Sequence, residues 1–527
     1  MTIGSSSRAP RETTSARRRH SPRRVATAVA AGLVMVLLSG CTSWFNPPVT
    51  ASTPTGESVS AELEPYYGQI LDWSSCGDDL QCATATAPLD WDTPAGDSID
   101  LALVRQQATS GTALGSLLVN PGGPGGSGYN LIHDSVDFAT SETLQESFDI
   151  VGFDPRGVNL STPVDCYDDP SELDSYIFDI IPGERGSDAW LAESEQLSAQ
   201  FGAACLEHTG ELLGNVDTIS AARDLDLLRA ILGDEKLNYL GYSYGTELGG
   251  VYADLYPEKT GRLVFDGAVD PTASNFDVSL TQAKGFESAL RAFLADCSSI
   301  DGCPFRGSVD ESMETVRALL DSLDVSPLRN SDGRDLGANS MFTAIILPLY
   351  SASNWPTLSS VFASAMSGDA SFPFTVADAY YERSADGTYA DNSYEAFATI
   401  TCLDYPTDNN IDTMRAEAAA LDEQAPVFGH LMAWGGTSCY DWPFEPTATP
   451  GAIAAEGSTD ILVIGTTNDP ATPYVWAQNV AEQLENGHMV TYEGEGHTAY
   501  NKSNACINDT VDDYFIKGTV PETDPLC

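Results

Sequence analysis

The stretch Leu237-Asn-Tyr-Leu-Gly-Tyr-Ser-Tyr-Gly-Thr246 has the pattern of a short apolar strand that turns abruptly into a helix. Its centre, Gly241-Tyr-Ser-Tyr-Gly245, matches G-x-S-x-G, the nucleophile elbow, in which a tight strand-to-helix turn exposes a serine hydroxyl. The positions two before and two after the serine must lack side chains in such a turn, and both are glycine. The stretch therefore predicts Ser243 as a nucleophile.

The sequence on both sides of this stretch has helical spacing, as an elbow requires. Upstream, residues 217–232 place apolar side chains on one face, with Asp217 or Thr218 as the cap and Gly233 as the stop. Downstream, apolar residues continue at helical spacing through Leu255. The predicted order of helix, strand, elbow and helix distinguishes this G-x-S-x-G from a chance match.

A glycine-rich loop precedes the elbow in the chain. The apolar strand pattern of residues 115–120 runs into Pro121-Gly-Gly-Pro-Gly-Gly-Ser-Gly128. Such a loop brings backbone N–H groups close to a ligand. A serine acyl transferase needs two N–H donors for its oxyanion, one of them from the residue after the nucleophile. We therefore predict an oxyanion hole formed by the N–H groups of Tyr244 and Gly123.

The same loop admits another interpretation. Gly123, Gly125 and Gly128 fit G-x-G-x-x-G, and Asp149 follows at the distance expected of a dinucleotide fingerprint. The two prolines at 121 and 124 favour a rigid loop over a turn that opens smoothly into a helix. A phosphate-binding P-loop would end in Gly-Lys-Ser/Thr, which is missing here. The oxyanion hole is the better interpretation, and no cofactor is expected.

Two later strand exits carry an acid and a base. The strand pattern Asp460-Ile-Leu-Val-Ile-Gly465 leads to Asp469, and the pattern of residues 488–493 leads to His497 in a glycine-flanked loop. An isolated aspartate or histidine is most often structural. The order Ser243, Asp469, His497, however, with each residue at a strand exit, is that of the α/β-hydrolase triad. We predict these three residues as catalytic.

The composition limits the class of protein. The chain has 527 residues, 42% of them apolar, which is enough for a main domain with an insertion. Its formal net charge is −51, and residues 1–40 contain seven Arg and one Glu, so the rest of the chain is still more acidic. This charge excludes nucleic acid as a partner. The oligomeric state is open, with a monomer as the default.

The amino terminus is predicted to be an export signal. Residues 8–24 are rich in arginine, and the apolar run at 25–38 is too short for a good membrane span. The sequence Leu38-Ser-Gly-Cys41 resembles a lipobox, which would place a lipid on Cys41. An ordinary signal peptide and a twin-arginine route are the alternatives. We expect an exported protein anchored by lipid on the outer face of the cytoplasmic membrane or in the cell envelope, possibly with partial release.

The ten cysteines after Cys41 are an even number in an exported chain, which favours disulfides. Pairing neighbours in order gives five short loops. No C-x-x-C or H-E-x-x-H spacing indicates a metal site. The predicted pairs are Cys76–Cys82, Cys166–Cys205, Cys297–Cys303, Cys402–Cys439 and Cys506–Cys527.

These patterns divide the chain into five segments within an α/β fold that has a mostly parallel central sheet. Strand alternation stops after residue 271 and resumes near residue 458, and the sequence between has an irregular helical pattern. We expect this insertion to form a lid over the carboxyl ends of the strands. The predicted segments are a signal peptide at 1–40, a flexible tether at 41–65, the first part of the core at 66–271, the lid at 272–457 and the second part of the core at 458–527.

Together these motifs resemble the secreted actinobacterial α/β-hydrolases of the tripeptidyl aminopeptidase type, which are related to proline iminopeptidases. The likeness runs from about Tyr67 to Cys527. Proline iminopeptidases have a His at the start of the oxyanion loop where this chain has Asn120-Pro121, so their narrow preference is not implied. The motifs that carry the resemblance are those of residues 120–128, 154–157, 241–246, 266–271, 468–473 and 496–497.

The resemblance implies an exopeptidase that releases short peptides, such as tripeptides, from free amino termini of peptide substrates. A carboxylesterase or lipase with the same triad is the alternative among enzymes, because fold does not settle substrate. A surface lipoprotein that binds ligands without catalysis is the alternative outside enzymes. An exopeptidase needs a carboxylate for the substrate ammonium, and Asp404 and Glu247 are our candidates.

Overall fold

The predicted strand before the elbow lies inside a mixed sheet of ten strands. The computed structural model describes residues 50–77, 79–447 and 450–527. Their strands are β1 (Thr50–Ala51), β2 (Asp72–Ser75), β3 (Leu80–Pro88), β4 (Ser98–Gln106), β5 (Ser116–Asn120), β6 (Asp149–Phe153), β7 (Leu237–Tyr242), β8 (Thr260–Asp266), β9 (Leu328–Arg329), β10 (Asp335–Leu336), β11 (Ile461–Asn468) and β12 (Gly487–Glu495).

The order of strands across the large sheet is β1-β2-β3-β4-β6-β5-β7-β8-β11-β12. Strands β1 to β4 are antiparallel to their neighbours, whereas β6, β5, β7, β8, β11 and β12 are parallel to one another. The carboxyl ends of parallel strands share one edge of a sheet, where ligands of such folds bind. This edge receives the loops that follow β5, β7, β11 and β12, which carry the predicted site residues.

Some of the helices pack on the two faces of the sheet, and the others lie in two helical segments that are described below. They are α1 (Glu64–Tyr67), α2 (Gly128–Ala139), α3 (Glu142–Ser147), α4 (Pro170–Phe178), α5 (Asp188–Thr209), α6 (Thr218–Leu232), α7 (Tyr244–Leu255), α8 (Asn275–Cys297), α9 (Val309–Val325), α10 (Ala338–Leu349), α11 (Trp355–Met366), α12 (Ser371–Tyr380), α13 (Ser393–Asp404), α14 (Ile411–Gln424), α15 (Gly429–Met432), α16 (Tyr474–Gln483) and α17 (Ala505–Lys517).

Alternating side chains of the strands fill two cores, one on each face of the sheet. On β7, Tyr239 packs in the core that α6 and α7 cover, whereas Leu240 packs in the core that α2, α3 and α17 cover. The helix predicted before the elbow is α6, which begins after the capping Asp217 and ends at Gly233 with φ +96°. Burial on both faces explains why β7 is an almost continuous apolar run.

The segment between β8 and β11 is mainly helical, with its own core. Helices α8 to α15 lie in it, and β9 and β10 form a two-stranded hairpin. Residues such as Phe293, Val316 and Phe362 are fully buried between these helices. We call residues 272–457 the helical insertion. This segment and the mostly parallel sheet match the predicted α/β-hydrolase fold.

A second helical segment lies between β6 and α6, within residues 66–271, which the sequence pattern assigns to the core. Helices α4 and α5 belong to it, and α5 packs against the helical insertion. A Cβ on Gly202 would lie 3.0 Å from Trp442, and the hydroxyls of Ser194 and Thr437 are 2.9 Å apart. The helical layer therefore contains residues from both segments.

The prediction of a flexible tether at 41–65 is wrong from residue 50 onward. The backbone of β1 pairs with β2, and the carboxylate of Glu57 binds Arg229 and Lys259 at 2.9 Å each. These cations also bind Asp226, which is 1% exposed, so Glu57 completes a buried ion network. Residues 1–40 with the predicted signal, and 41–49 with Cys41, lie outside the described residues.

All five predicted disulfides are formed in the structure. Two of them, Cys297–Cys303 and Cys402–Cys439, lie within the helical insertion, and Cys166–Cys205 joins the loop after β6 to α5. The other two, Cys76–Cys82 and Cys506–Cys527, lie near the edges of the core. Each bridge closes a loop of fewer than 40 residues. The local pairing expected from the sequence is therefore present.

Candidate active site

Ser243 occupies a strained turn between β7 and α7. Its backbone has φ 55° and ψ −126°, a conformation that residues with side chains rarely adopt. A Cβ on Gly241 would lie 2.3 Å from the Gly245 carbonyl oxygen, and one on Gly245 would lie 2.8 Å from Asn120 Oδ1. The turn therefore requires glycine at both positions, as the elbow pattern predicts. The Ser243 N–H donates to the Asp266 carbonyl at 2.9 Å, which fixes the turn on β8.

His497 and Asp469 form a pair in which the acid is buried and the imidazole is partly exposed. The imidazole Nδ1 lies 3.0 Å from both carboxylate oxygens of Asp469, which is only 2% exposed. The backbone N–H groups of Ala471 and Thr472 donate to the same carboxylate at 2.9 Å. These bonds fix the acid, and the acid binds Nδ1, so Nε2 is the imidazole nitrogen available for a substrate or serine proton.

Asp266, at the end of β8, connects the elbow with the histidine loop. Its carbonyl accepts the Ser243 N–H, and its carboxylate accepts the N–H groups of Ala499 and Tyr500 at 2.7 to 3.0 Å. A Cβ on the next residue, Gly267, would lie 3.3 Å from His497 Cε1. Burial raises the pKa of Asp266, which the nearby Lys502 and these backbone bonds oppose. Ser243 and His497 thus both adjoin the carboxyl end of one strand.

Two residues that the sequence analysis did not select also contact His497. The Thr472 hydroxyl lies 3.2 Å from His497 Nδ1 and donates to Asp469 at 3.0 Å. The carbonyl of Tyr350, in the helical insertion, accepts the His497 N–H at 2.8 Å. The sequence signal for Thr472 is its place three residues after Asp469, because an aspartate in a turn often accepts backbone N–H groups of the residues that follow it. The Tyr350 contact spans about 150 residues, and no local pattern indicates it.

The glycine loop after β5 lies directly against the elbow. A Cβ on Gly122 would lie 2.9 Å from both the Tyr244 nitrogen and the Ser243 Cβ. Gly122 itself is fixed by its N–H, which donates to Asn120 Oδ1 at 2.9 Å, and Gly123 follows with φ +112°. In the described part of the chain neither the Gly123 N–H nor the Tyr244 N–H donates a hydrogen bond. The loop that carries Gly123 therefore meets the elbow at Gly122, beside the N–H of Tyr244.

The alternative dinucleotide fingerprint does not fit the structure. Gly128 opens α2 between the parallel strands β5 and β6, as that motif requires. Asp149, however, is the first residue of β6, at the opposite edge of the sheet from the glycine loop. Its carboxylate accepts the Ala108 N–H at 2.9 Å and lies 3.6 Å from Arg105. Asp149 is therefore a structural acid.

The role predicted for Asp404 in binding a substrate ammonium is contradicted by its partners. Asp404 is 4% exposed, and its two oxygens accept the N–H of Thr218 at 3.0 Å and the Thr218 hydroxyl at 2.6 Å. Thr218 is the first residue of α6, so the carboxylate lies at a helix amino terminus, where negative charge is favourable. A carboxylate occupied in this way is not available to substrate.

Glu247 also differs from the prediction. Its carboxylate accepts the Tyr405 hydroxyl at 2.5 Å. The cavity that Glu247 adjoins has a volume of only about 10 Å³, and its other walls include Phe265 and Ile453. Such a space accommodates a water molecule but no peptide. Burial raises the pKa of Glu247 to about 7, which its bond with Tyr405 opposes.

This raised pKa predicts a pH-dependent stability. The folded state binds the Glu247 proton more tightly than the unfolded chain, so the stabilisation is complete below pH 4.5 and is lost as the pH rises through about 7. We expect the melting temperature of Glu247→Gln to fall less between pH 5 and pH 8 than that of the wild type. The control Glu482→Gln loses a charge from an exposed position on α16 and should follow the wild type. Parallel curves for Glu247→Gln and the wild type would refute the prediction.

One group of side chains in the described ranges has the chemistry of a metal site. The ligand atoms of Asp165, Asp168 and His208 lie within 4.8 Å of one another. All three side chains are exposed, and His208 Nδ1 lies 3.7 Å from the Asp168 carboxylate. Exposed acidic side chains beside a histidine are common on protein surfaces without a metal, and nothing else in the described ranges indicates an ion here.

Comparison with known proteins identifies the family to which the chain belongs. The profile of the family described as TAP-like protein matches residues 425–527, which include Asp469 and His497. Serine protease Hip1 of Mycobacterium tuberculosis is 35% identical over 484 residues, which cover 88% of this chain and 92% of that protein.

Two further relatives have different names. Carboxylesterase B of Mycobacterium tuberculosis is 35% identical over 506 residues, which cover 93% of this chain and 96% of the relative. Tripeptidyl aminopeptidase of Streptomyces lividans is 29% identical over 90% of this chain and 89% of the relative. These similarities extend over nearly the whole lengths of the proteins compared. The chain therefore belongs to the actinobacterial TAP-like family of α/β-hydrolases that includes serine protease Hip1 and tripeptidyl aminopeptidase.

Proposed function

We propose that this protein is a serine exopeptidase that releases short peptides, mainly tripeptides, from the free amino termini of peptide substrates. The observation that carries the proposal is that the strained elbow of Ser243 and the His497–Asp469 pair both adjoin the carboxyl end of β8, with the glycine loop against the elbow. The names of the relatives, a serine protease and a tripeptidyl aminopeptidase, support the peptide as substrate. All predicted catalytic residues come from loops at one edge of the sheet.

The proposed mechanism assigns one step to each of these groups. His497 Nε2 removes the proton from the Ser243 hydroxyl as its oxygen attacks the scissile carbonyl carbon. The N–H groups of Gly123 and Tyr244 bind the oxyanion of the tetrahedral intermediate, and the amino terminus of α7 adds a favourable dipole. Asp469 stabilises the imidazolium. His497 then protonates the leaving amine, and water repeats the cycle on the acyl-enzyme.

The helical insertion is our proposed lid. Its Tyr350 carbonyl accepts the His497 N–H, and its helix α13 lies against the glycine loop at Gly125. A segment that contacts both loops restricts access to the edge of the sheet between them. Such a restriction favours chain ends over the interior of folded proteins, in agreement with an exopeptidase.

A carboxylesterase is the second candidate, since the relative named carboxylesterase B is as similar to this chain as the serine protease is. A panel of chromogenic substrates distinguishes the two functions: tripeptidyl anilides with free and acetylated amino termini, aminoacyl anilides and acyl esters. We expect the highest kcat/KM with the free tripeptidyl anilides. Fast turnover of esters, with no release from any unblocked peptide, would make the esterase correct. No turnover of any substrate would favour a binding protein without catalysis.

We also propose that the protein is exported and anchored by a lipid on Cys41. Within the described residues the structure contains no helix that is long and apolar enough to cross a membrane. The lipobox-like sequence Leu38-Ser-Gly-Cys41 is the support for the anchor. Mass spectrometry of the mature amino terminus should find a lipid on Cys41, and an unmodified terminus elsewhere would refute the anchor.

A further inference from the structure

Helix α13 of the helical insertion contacts both sides of the proposed oxyanion hole. At its first turn, the glycine loop approaches so closely that a Cβ on Gly125 would lie 2.5 Å from the Ser393 carbonyl and 2.8 Å from the Phe397 nitrogen. Gly125 lies two residues after Gly123, one of the two proposed N–H donors. The glycine loop therefore packs directly against the first turn of α13.

The same end of α13 is attached to the core by polar side chains. The Asn392 side chain, just before the helix, donates to the carbonyls of Gly157 and Val164 at 2.9 and 2.7 Å. Glu395 is buried and accepts the Cys166 N–H at 2.9 Å. These bonds attach the first turn to the segment after β6, so the position of the turn against the glycine loop does not depend on the contact at Gly125 alone.

The last residue of α13 contacts the other donor through an intermediate side chain. The Asp404 carboxylate accepts the Thr218 hydroxyl at 2.6 Å, and the oxygen of that hydroxyl lies against the Tyr244 hydroxyl in a very short contact. Tyr244 provides the second proposed N–H donor. Asp404, Thr218 and Tyr244 are all buried. A continuous chain of hydrogen bonds thus connects the helical insertion to the residue after the nucleophile.

Asp404 has features that helix capping alone does not explain. Asp217 already caps α6, since its side chain accepts the Ser220 N–H at 3.0 Å. The described residues provide no ion-pair partner for Asp404, and burial, together with the negative charge of Glu247, raises the pKa of Asp404 well above its usual value. A buried carboxylate in that environment is costly unless its hydrogen bonds are needed. Its bond to the Thr218 hydroxyl leads to Tyr244.

We propose that α13 positions both donors of the oxyanion hole: its first turn places the glycine loop, and Asp404 acts through the Thr218 hydroxyl to place Tyr244. Asp404 and Thr218 are positioning residues and do not touch substrate. The inference rests on the proposed function, because it takes the Gly123 and Tyr244 N–H groups as the oxyanion donors. Because disulfide Cys402–Cys439 anchors the last turn of α13 within the insertion, a shift of the insertion would alter the geometry of the oxyanion hole.

The test is a pair of substitutions at Thr218. Thr218→Val removes the hydroxyl and retains the N–H that donates to Asp404, whereas Thr218→Ser retains both. With a free tripeptidyl anilide, kcat of Thr218→Val should fall about tenfold with KM within about twofold of the wild type, since a misplaced donor loses stabilisation only in the transition state. Thr218→Ser should retain kcat within about twofold.

A second variant and a matched control separate positioning from stability. Tyr244→Phe removes the other hydroxyl and leaves the bonds between Asp404 and Thr218 in place. A fall in kcat of this variant therefore tests the contact between Thr218 and Tyr244 even if Thr218→Val does not fold. Glu287→Gln removes another buried carboxylate of the insertion, one that accepts the N–H groups of Val427 and Phe428. It should lower the melting temperature without a change in kcat.

Two results would overturn the inference. One is wild-type kcat in folded Tyr244→Phe and Thr218→Val, and the other is an equal loss of kcat in Glu287→Gln. In either case a wild-type enzyme that turns over peptide and reacts with a fluorophosphonate at Ser243 would leave the proposed function intact. A wild-type protein that does neither would refute the proposed function itself.

Discussion

Substitution of Ser243 by alanine is expected to lower kcat/KM for a tripeptidyl anilide by about 10⁵-fold or more. The hydroxyl is the atom that attacks, and the oxyanion donors alone retain only a small part of the rate enhancement. Alanine also has a Cβ and adopts the backbone conformation of the elbow as readily as serine does. The melting temperature should therefore not change. Initial rates at high enzyme concentration, with the melting temperature measured on the same preparation, check this result.

The control for this prediction is a serine outside the site. Ser198 is a buried serine of α5. Ser198→Ala should therefore retain wild-type activity. A Ser243→Ala protein with a rate within about tenfold of the wild type would remove Ser243 from the mechanism, provided that contaminating wild-type enzyme is excluded by active-site titration.

Substitution of Asp469 by asparagine is expected to lower kcat by about 10⁴-fold. The carboxylate binds His497 Nδ1 at 3.0 Å, so it selects the tautomer that leaves Nε2 free to accept a proton. An asparagine can donate to Nδ1 and so favours the wrong tautomer. Steady-state kinetics with the free tripeptidyl anilide measure the loss.

Asp270→Asn is a closely matched control. Asp270 is buried and accepts both the N–H and the hydroxyl of Thr272, in a turn like that of Asp469, but no histidine is among its partners. Both variants lose turn bonds and should lose stability. If Asp270→Asn lost as much activity as Asp469→Asn, the effect would be one of folding, and the assignment of Asp469 as the acid would be wrong.

The sequence was sufficient where the chemistry depends on a short segment. The elbow requires glycine at two fixed distances from Ser243, and those residues lie within five positions of one another. The strands before Asp469 and His497 are similarly clear because apolar runs end in polar loops. The α/β fold and its order of strands and helices follow from the same local periodicity.

The sequence was insufficient where a residue acts through a distant partner. Glu57 was assigned to a tether because its neighbours are polar, yet it binds Arg229, 172 residues away. Asp404 was assigned to substrate because it is acidic and adjacent to a disulfide. Its partner Thr218 lies 186 residues earlier in the chain, and only the folded structure brings them together. The position of helix α5 could not be predicted from the sequence either, because α5 packs on Trp442, which is distant from it in the chain.

The most direct test of the central claim is to identify the residue that reacts with a fluorophosphonate probe. The purified protein is treated with the probe, digested and analysed by mass spectrometry, with Ser243→Ala as the control. Nucleophilic attack by Ser243 predicts a single adduct on the peptide that contains Ser243, formed in parallel with the loss of tripeptidyl anilide hydrolysis. Folded wild-type protein that remains unlabelled, or that carries the adduct on another serine while activity is lost, would contradict the account.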